Sequence, residues 1–260
     1  MLDSIIAKKK IAVAEAKRKI PLHEMRRNLE KAGFAFSKQN GKPWRLIAEC
    51  KLQSPAKGRL CTNHTVVDLA KIYAANGASM LSVHSDPHFL GDIEDIQRIK
   101  KQVNIPILRK DFIIDEYQIY ESRKKGADAV LLIARILSPS QLKEYLYTVW
   151  SLGMDALVEV HSEADIKAAL ETPAEFIGIN NRNLQNFTTD VQNTLDLLPY
   201  LDMSRTIISE SGIKESADVD ILKARGVKGI LVGEGLVKAA DIAAKTRELS
   251  LFNEAASKVG

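Results

Sequence analysis

One short pattern recurs along the chain and narrows its folding options more than any other feature: a helix-like stretch, a glycine able to stop it, then a brief apolar run. It appears as Gly77-Ala78-Ser79-Met80-Leu81-Ser82-Val83, as Gly126-Ala127-Asp128-Ala129-Val130-Leu131-Leu132 and as Gly226-Val227-Lys228-Gly229-Ile230-Leu231-Val232. A looser copy, Gly153-Met154-Asp155-Ala156-Leu157-Val158, follows a helix-like Ser140 to Leu152. Strand candidates fall near Ile47, Leu81, Leu108, Leu131, Val158, Ile177, Ile207 and Leu231. They number about eight and lie roughly 20 to 34 residues apart, the size of a βα unit. Their apolar runs are continuous, which suits strands buried on both faces of a parallel sheet. Eight such units predict an α/β protein closed into a (β/α)8 TIM barrel, with a doubly wound open sheet as the alternative.

Between the strands the sequence predicts helices over Val66 to Ala75, Ile93 to Lys101, Glu116 to Lys125, Ala164 to Leu170, Val191 to Leu198, Ser216 to Ala224 and Ile242 to Leu249. Ser162 and Asp190 are expected as N-caps. The residues before the first strand, ending in Gly41-Lys42-Pro43, suggest an extra helix followed by a turn. The expected organisation is one domain over residues 1–260, with 1–44 an N-terminal helical extension lying over the barrel mouth and 45–260 the barrel itself.

The ends of the strands carry the chemistry. Pro106-Ile107-Leu108-Arg109-Lys110-Asp111-Phe112 passes from an apolar run into a cation, an acid and an aromatic. Ile47-Ala48-Glu49-Cys50-Lys51, Leu157-Val158-Glu159, Gly178-Ile179-Asn180-Asn181-Arg182 and Ile207-Ile208-Ser209-Glu210-Ser211-Gly212 end in the same manner. Side chains alternate along a strand, so Glu49 and Lys51 share a face with Ile47, Lys110 and Phe112 with Leu108, Glu159 and His161 with Leu157, Asn180 and Arg182 with Gly178, and Glu210 with Ile208. Polar groups on those faces converge at the carboxyl ends of the strands, where barrel enzymes keep their sites. A single charge after a strand is often only the chain reaching solvent, and buried acids with lysines can form an ion network. Five strands ending alike weigh toward catalysis.

Glu210-Ser211-Gly212-Ile213 and Gly233-Glu234-Gly235-Leu236 follow the last two strands and suggest a phosphate cradle. In it Glu234 is expected to offer only its backbone N–H, because its carboxylate would repel the ligand. The five histidines, His23, His64, His84, His88 and His161, have no zinc-site spacing, and no metal is expected. Ser54 and Ser211 lack a triad arrangement.

A formal net charge of +4, with Lys and Arg spread along the 260 residues, suits a small anionic substrate better than nucleic acid. Lys8-Lys9-Lys10 and Lys17-Arg18-Lys19 sit among Ile5, Ile6, Ile11 and Val13 at helical intervals, and are expected on a solvated helix face. Cys50 and Cys61 show no ligand spacing and are expected as reduced thiols in a cytoplasmic protein. Charges follow Ile5-Ile6 directly, unlike a signal peptide, and no apolar run is long enough for a membrane span. A soluble protein without a membrane partner is expected.

Taken together, these residues resemble the indole-3-glycerol phosphate synthase family. Its first-strand motif, approximately E-x-K-x-x-S-P-S, is matched by Glu49-Cys50-Lys51-Leu52-Gln53-Ser54-Pro55-Ala56 up to the last serine, and its L-x-K-D-F signature by Leu108-Arg109-Lys110-Asp111-Phe112. Val130-Leu131-Leu132-Ile133, Val158-Glu159-Val160-His161, Ile177 to Leu184, Glu210-Ser211-Gly212-Ile213 and Val232-Gly233-Glu234 follow in the family's order. The chain departs at Ala56 and at His84-Ser85-Asp86-Pro87-His88-Phe89-Leu90-Gly91-Asp92, which replaces the usual leucine-threonine-acid pattern.

The resemblance implies a cofactor-free carbon–carbon lyase of tryptophan biosynthesis that turns 1-(2-carboxyphenylamino)-1-deoxyribulose 5-phosphate into indole-3-glycerol phosphate. It implies Lys110 as general acid at the ketone oxygen, a role for which its pKa is expected to be lowered by burial and by Lys51. Lys51 would steer the substrate carboxylate and pair with Glu49, and Glu159 would manage protons near the anilino nitrogen. Asn180 and Glu210 would bind sugar hydroxyls or orient Lys110, and Arg182 would add positive charge. Ser54, Ser211, Gly212, Gly233 and Glu234 would hold phosphate, and Phe89, Phe112, Leu131 and Leu231 would form an apolar slot for the anthranilate ring. A monomer is expected, with a weak dimer as the alternative. Competing readings are a Schiff-base aldolase or lyase acting on a ketose phosphate and a non-catalytic phosphosugar-binding barrel.

Overall fold

The chain closes eight parallel strands into a barrel, which excludes the open-sheet alternative. The computed structural model describes residues 2–39, 44–54, 57–183 and 188–252. The expected turn at Gly41-Lys42-Pro43, the Pro55-Ala56 part of the first-strand motif and Leu184 lie outside them. The strands are β1 (Arg45–Cys50), β2 (Met80–His84), β3 (Ile107–Lys110), β4 (Ala129–Ile133), β5 (Asp155–Val160), β6 (Phe176–Asn180), β7 (Thr206–Glu210) and β8 (Gly229–Val232). All eight expected strands are therefore present, and β1 pairs with β8 through Ile47 opposite Leu231 to close the ring.

Strand parity sorts the side chains into two layers. Ile47, Met80, Leu108, Leu131, Leu157, Ile208 and Leu231 fill the barrel interior. Ala48, Cys50, Leu81, Val130, Val158 and Ile177 point outward and pack against the surrounding helices. Both cysteines are buried and unbridged.

The outer helices track the apolar periodicity within a residue or two at each end. They include α1 (Leu2–Lys19), the short α2 (Leu22–Met25), α3 (Val66–Ala75), α4 (Glu94–Lys100), α5 (Glu116–Lys124), α6 (Pro139–Ser151), α7 (Glu163–Leu170), α8 (Gln192–Leu197), α9 (Ser216–Ala224), α10 (Glu234–Val237) and α11 (Ile242–Ser250). Ser162 caps α7 by accepting from the Asp165 N–H. Asp190 also serves the start of α8, its Oδ1 accepting from the Gln192 N–H at 2.9 Å. Among the described residues, no helix is long and apolar enough to cross a membrane.

The N-terminal segment departs from the expected lid, because it serves both ends of the barrel. At the mouth, Leu2, Asp3 and Ile5 of α1 line the central cavity. The chain then runs past α6, where the Ala32 N–H donates to the Leu152 carbonyl, and reaches the opposite end. There Phe36, only 2% exposed, enters the barrel core against Phe176 with ring centroids 4.7 Å apart. Asp155, at the start of β5, fixes this plug by accepting from the Phe36 N–H at 2.9 Å and the Ser37 N–H at 3.2 Å.

Candidate active site

At the carboxyl ends of the strands lies a cavity of about 470 Å³, a volume suited to a small organic ligand. Among the residues singled out in the sequence, Glu49, Lys51, Ser54, Phe89, Lys110, Phe112, Leu131, Glu159, Asn180, Arg182 and Ser211 line it. Glu210 lies just beneath, fully buried, and reaches the lining through Lys110. Leu231 belongs to the barrel core below the floor instead of the slot. Gly212, Gly233 and Glu234 are not among the residues that line this cavity.

Lys110 is the centre of the charge arrangement. Parity turns it inward from β3, while its neighbour Arg109 faces outward and is held by Asp111, Glu121 and Ser85. The Lys110 Nζ donates to Glu159 Oε2 at 3.0 Å and to Glu210 Oε2 at 2.6 Å. Burial alone would lower its pKa, but Glu159, Glu210 and Glu49 together outweigh burial and hold it above the ordinary lysine value. This corrects the expectation of a lowered value: that expectation weighed burial and Lys51 but not three carboxylates around one ammonium.

The two acids on Lys110 differ. Glu159 is brought down to about 2, because Lys110 and His161 overcome the cost of burying its charge. Glu210 is pushed up to about 7, mainly by burial, with Lys110 pulling against it and Glu159 adding to it. Two carboxylates on one ammonium titrate as a pair, and the more deeply buried member keeps the proton longer.

On β1, two strands along the barrel wall from Lys110, Glu49 Oε2 lies 3.4 Å from the Lys51 Nζ, and its Oε1 lies 3.0 Å from His84 Nε2. Burial would raise the Glu49 pKa, yet Lys51, His84 and Lys110 bring it well below the carboxylate range. The Lys51 ammonium also sits 5.5 Å above the Phe89 ring, and Phe89 lies 6.4 Å from Phe112. Two aromatic rings and Leu131 thus give one side of the cavity an apolar surface, while two lysines face it.

Gly178 and Gly233 have a role the sequence did not disclose. A Cβ on Gly233 would collide with the Glu49 carboxylate, and one on Gly178 with that of Glu210. Each glycine leaves the space that a buried acid occupies.

The expected phosphate end is only partly as anticipated. Ser211 and Gly212 both take left-handed backbone, with φ of 67° and 82°. The Ser211 N–H is already spent on the Leu231 carbonyl at 3.1 Å, so Ser211 has its hydroxyl to offer. The helix after Gly233 is a single turn, too short to bring much dipole. The Glu234 carboxylate is turned toward Lys57 at 2.7 Å and Lys238 at 3.0 Å, with Arg182 at 3.9 Å.

Three residues escaped the sequence. His84 lines the cavity against a carboxylate, beside His161 on the face that parity gave it, and Arg135 joins them from the loop after β4. Lys9, expected on a solvated face, is instead buried, with Asp86 and Asp111 each 2.6 Å from its ammonium. Applying the parity rule to Met80-Leu81-Ser82-Val83-His84 would have turned His84 inward; no local signal exposes Lys9. Among the described residues, no cluster of three or more His, Cys, Asp or Glu is placed to hold a metal ion.

Comparison with known proteins sets these residues in context. A family model described as indole-3-glycerol phosphate synthase matches residues 2–249. An indole-3-glycerol phosphate synthase from Endomicrobium trichonymphae is 45% identical over 255 residues, covering 96% of this chain and 99% of its own. One from Desulforamulus reducens is 49% identical over 206 residues, 78% of each chain. Among solved structures, a 3-hexulose-6-phosphate synthase superposes with a TM-score of 0.65 at 15% identity, covering 80% of this chain and 98% of its own. The orotidine 5'-phosphate decarboxylase from Pyrococcus horikoshii OT3 gives 0.60 at 13% identity, covering 79% and 97%. Identities this low speak for the barrel fold alone.

Proposed function

The chain belongs to the indole-3-glycerol phosphate synthase family, and from that premise we propose how its residues divide the reaction. The enzyme closes the ring of 1-(2-carboxyphenylamino)-1-deoxyribulose 5-phosphate, giving indole-3-glycerol phosphate, carbon dioxide and water. The ring carbon that bears the carboxylate attacks the ketone carbon, and the ketone oxygen takes a proton from Lys110. The bond to the carboxylate then breaks, and its electron pair restores aromaticity. Finally the new hydroxyl leaves as water after protonation, while Glu159 removes a proton from the carbon beside the anilino nitrogen. One proton is taken up overall.

Phe89, Phe112 and Leu131 hold the anthranilate ring, with Leu231 supporting them from the core. Lys51, oriented by Glu49, meets the substrate carboxylate. Ser54, Ser211 and the backbone of Gly212, Gly233 and Glu234 hold the phosphate, with Arg182 adding positive charge. Asn180 binds a sugar hydroxyl, and Glu210 orients Lys110.

The observation that carries this reading is Lys110 held between Glu159 and Glu210, 3.0 and 2.6 Å away, with the Glu49–Lys51 pair two strands along the barrel wall. In the free site Lys110 stays charged. When the substrate's N–H and hydroxyl groups draw the carboxylates away, the ammonium loses their support and becomes a stronger acid toward the ketone oxygen. A charged lysine is a poor amine nucleophile, which weighs against the Schiff-base alternative. The same reading takes the chain as one domain acting as a cytoplasmic monomer.

Adding the substrate and following indole fluorescence tests the assignment. Steady formation of indole-3-glycerol phosphate is expected. Tight binding without turnover would favour the silent barrel, and a covalent adduct trapped by borohydride would favour the lyase.

A further inference from the structure

The stretch in which the chain departs from its family's pattern begins with His84, and the fold brings that side chain into the active site. His84 ends β2 between Glu49 on β1 and Lys110 on β3, and is 7% exposed. Its Nε2 lies 3.0 Å from Glu49 Oε1. Its ring stacks on Phe89, with centroids 4.4 Å apart and planes within 8°.

Phe89 is set against it by the loop that follows. Asp86 accepts from the His88 N–H at 2.8 Å and, through its carbonyl, from the Gly91 N–H at 3.0 Å. The loop returns so close to the His84 backbone that a Cβ on Gly91 would strike it. One imidazole thus touches both halves of the site, the acid that orients Lys51 and the aromatic wall of the slot.

The charged groups facing His84 are Glu49, Lys51 and Lys110. Burial is the largest influence on the imidazole and, helped by the two lysines, outweighs Glu49, so its pKa lies below the ordinary histidine value. Above that value the ring is neutral, and its Nε2, 3.0 Å from the Glu49 carboxylate, makes no hydrogen bond among the described residues, so what it can offer Glu49 is a nearby donor not otherwise engaged.

We propose that His84 is a positioning residue for ring closure: it holds the Glu49 carboxylate turned toward Lys51 and backs Phe89 as the wall against the substrate's aromatic ring. The proposal rests on the reading of Glu49 and Lys51 given above. It predicts separable effects, since the N–H acts through Glu49 on turnover and the ring acts through Phe89 on binding.

Two variants separate them. His84→Leu removes the donor and keeps an apolar backing; kcat is expected to fall about tenfold, the scale of a lost hydrogen bond to a charged group. Its acid limb in the pH–kcat profile is expected to move up about one unit, because Glu49 becomes easier to protonate. His84→Gln keeps a donor and loses the flat ring; kcat is expected within about threefold of wild type while KM rises severalfold. Thermal unfolding of both variants establishes that they are folded. Unchanged kcat, KM and acid limb in both variants, or equal losses in both, would overturn the proposal.

Glu49→Gln is the control for the underlying reading. In that background His84→Leu is expected to cost nothing further in kcat. If Glu49→Gln turned over at the wild-type rate, the Glu49 assignment would fail and His84 with it. If Glu49→Gln were impaired while His84→Leu was not, only the His84 proposal would fail.

Discussion

Glu210 shows how a single residue carries a conflict between stability and chemistry. Its carboxyl is fully buried, with Oε2 bound to Lys110 and Oε1 without a hydrogen-bond partner among the described residues, and its pKa rises to about 7. A folded-state pKa above the unfolded one means that folding favours the protonated form. That stability is fully present below the unfolded value near 4.5 and is lost as pH rises through about 7. Glu210→Gln is therefore expected to unfold at a higher temperature than wild type at pH 8, with the difference shrinking toward pH 5, as read by calorimetry. The same variant should lose about 10²-fold in kcat, because Lys110 has lost an orienting carboxylate, together with the rise in activity through pH 7 that the titration of Glu210 predicts for the wild type.

Residue placement was legible where strand parity governs it. Glu49, Lys110, Glu159, Asn180 and Glu210 all stand on the inward face that alternation assigned them. Charge state was not legible in that way. The rise in the Lys110 pKa comes from acids on β1, β5 and β7, and only the closed barrel brings those strands around β3.

At the scale of elements, the N-terminal helix is tied to the catalytic strands by one buried cation. The Lys9 Nζ lies 2.6 Å from both Asp86 and Asp111; Asp86 begins the turn that carries Phe89, and Asp111 directly follows Lys110. Removing one partner from a buried ion pair typically costs about 3–5 kcal/mol, since the remaining charges stay buried. Lys9→Met is thus expected to lower stability on that scale and to raise KM, checked by urea unfolding and steady-state kinetics. Lys9 could not be recognised from its surroundings in sequence, because Lys8-Lys9-Lys10 looks like any solvated basic cluster. Its partners lie on loops after β2 and β3, distant along the chain. The glycines beside Glu49 and Glu210 were hidden for the same reason: each is required by a side chain on another strand.

For the molecule as a whole, the two ends of the barrel do different work, chemistry at the carboxyl ends of the strands and stability at the other. Phe36 closes the stable end against Phe176, so Phe36→Ala should cost about 3–5 kcal/mol of stability and leave kcat at 25 °C unchanged. Thermal denaturation alongside initial rates checks both halves of that statement. The barrel itself was legible because the repeat of helix, glycine and strand occurs at a spacing that only βα units explain. The route of residues 28–37 to the opposite end was not, because a plug of this kind has no periodicity and depends on a single aromatic meeting the core.

Ring closure in this site turns on Lys110 as the acid at the ketone oxygen. The most direct test is kcat for Lys110→Met with substrate saturating, with substrate affinity measured separately at equilibrium. Turnover is expected to fall at least about 10²-fold while binding stays within a few-fold of wild type, the signature of an interaction made in the transition state. Turnover near the wild-type rate would contradict that role for Lys110 and move it to another residue of the mouth.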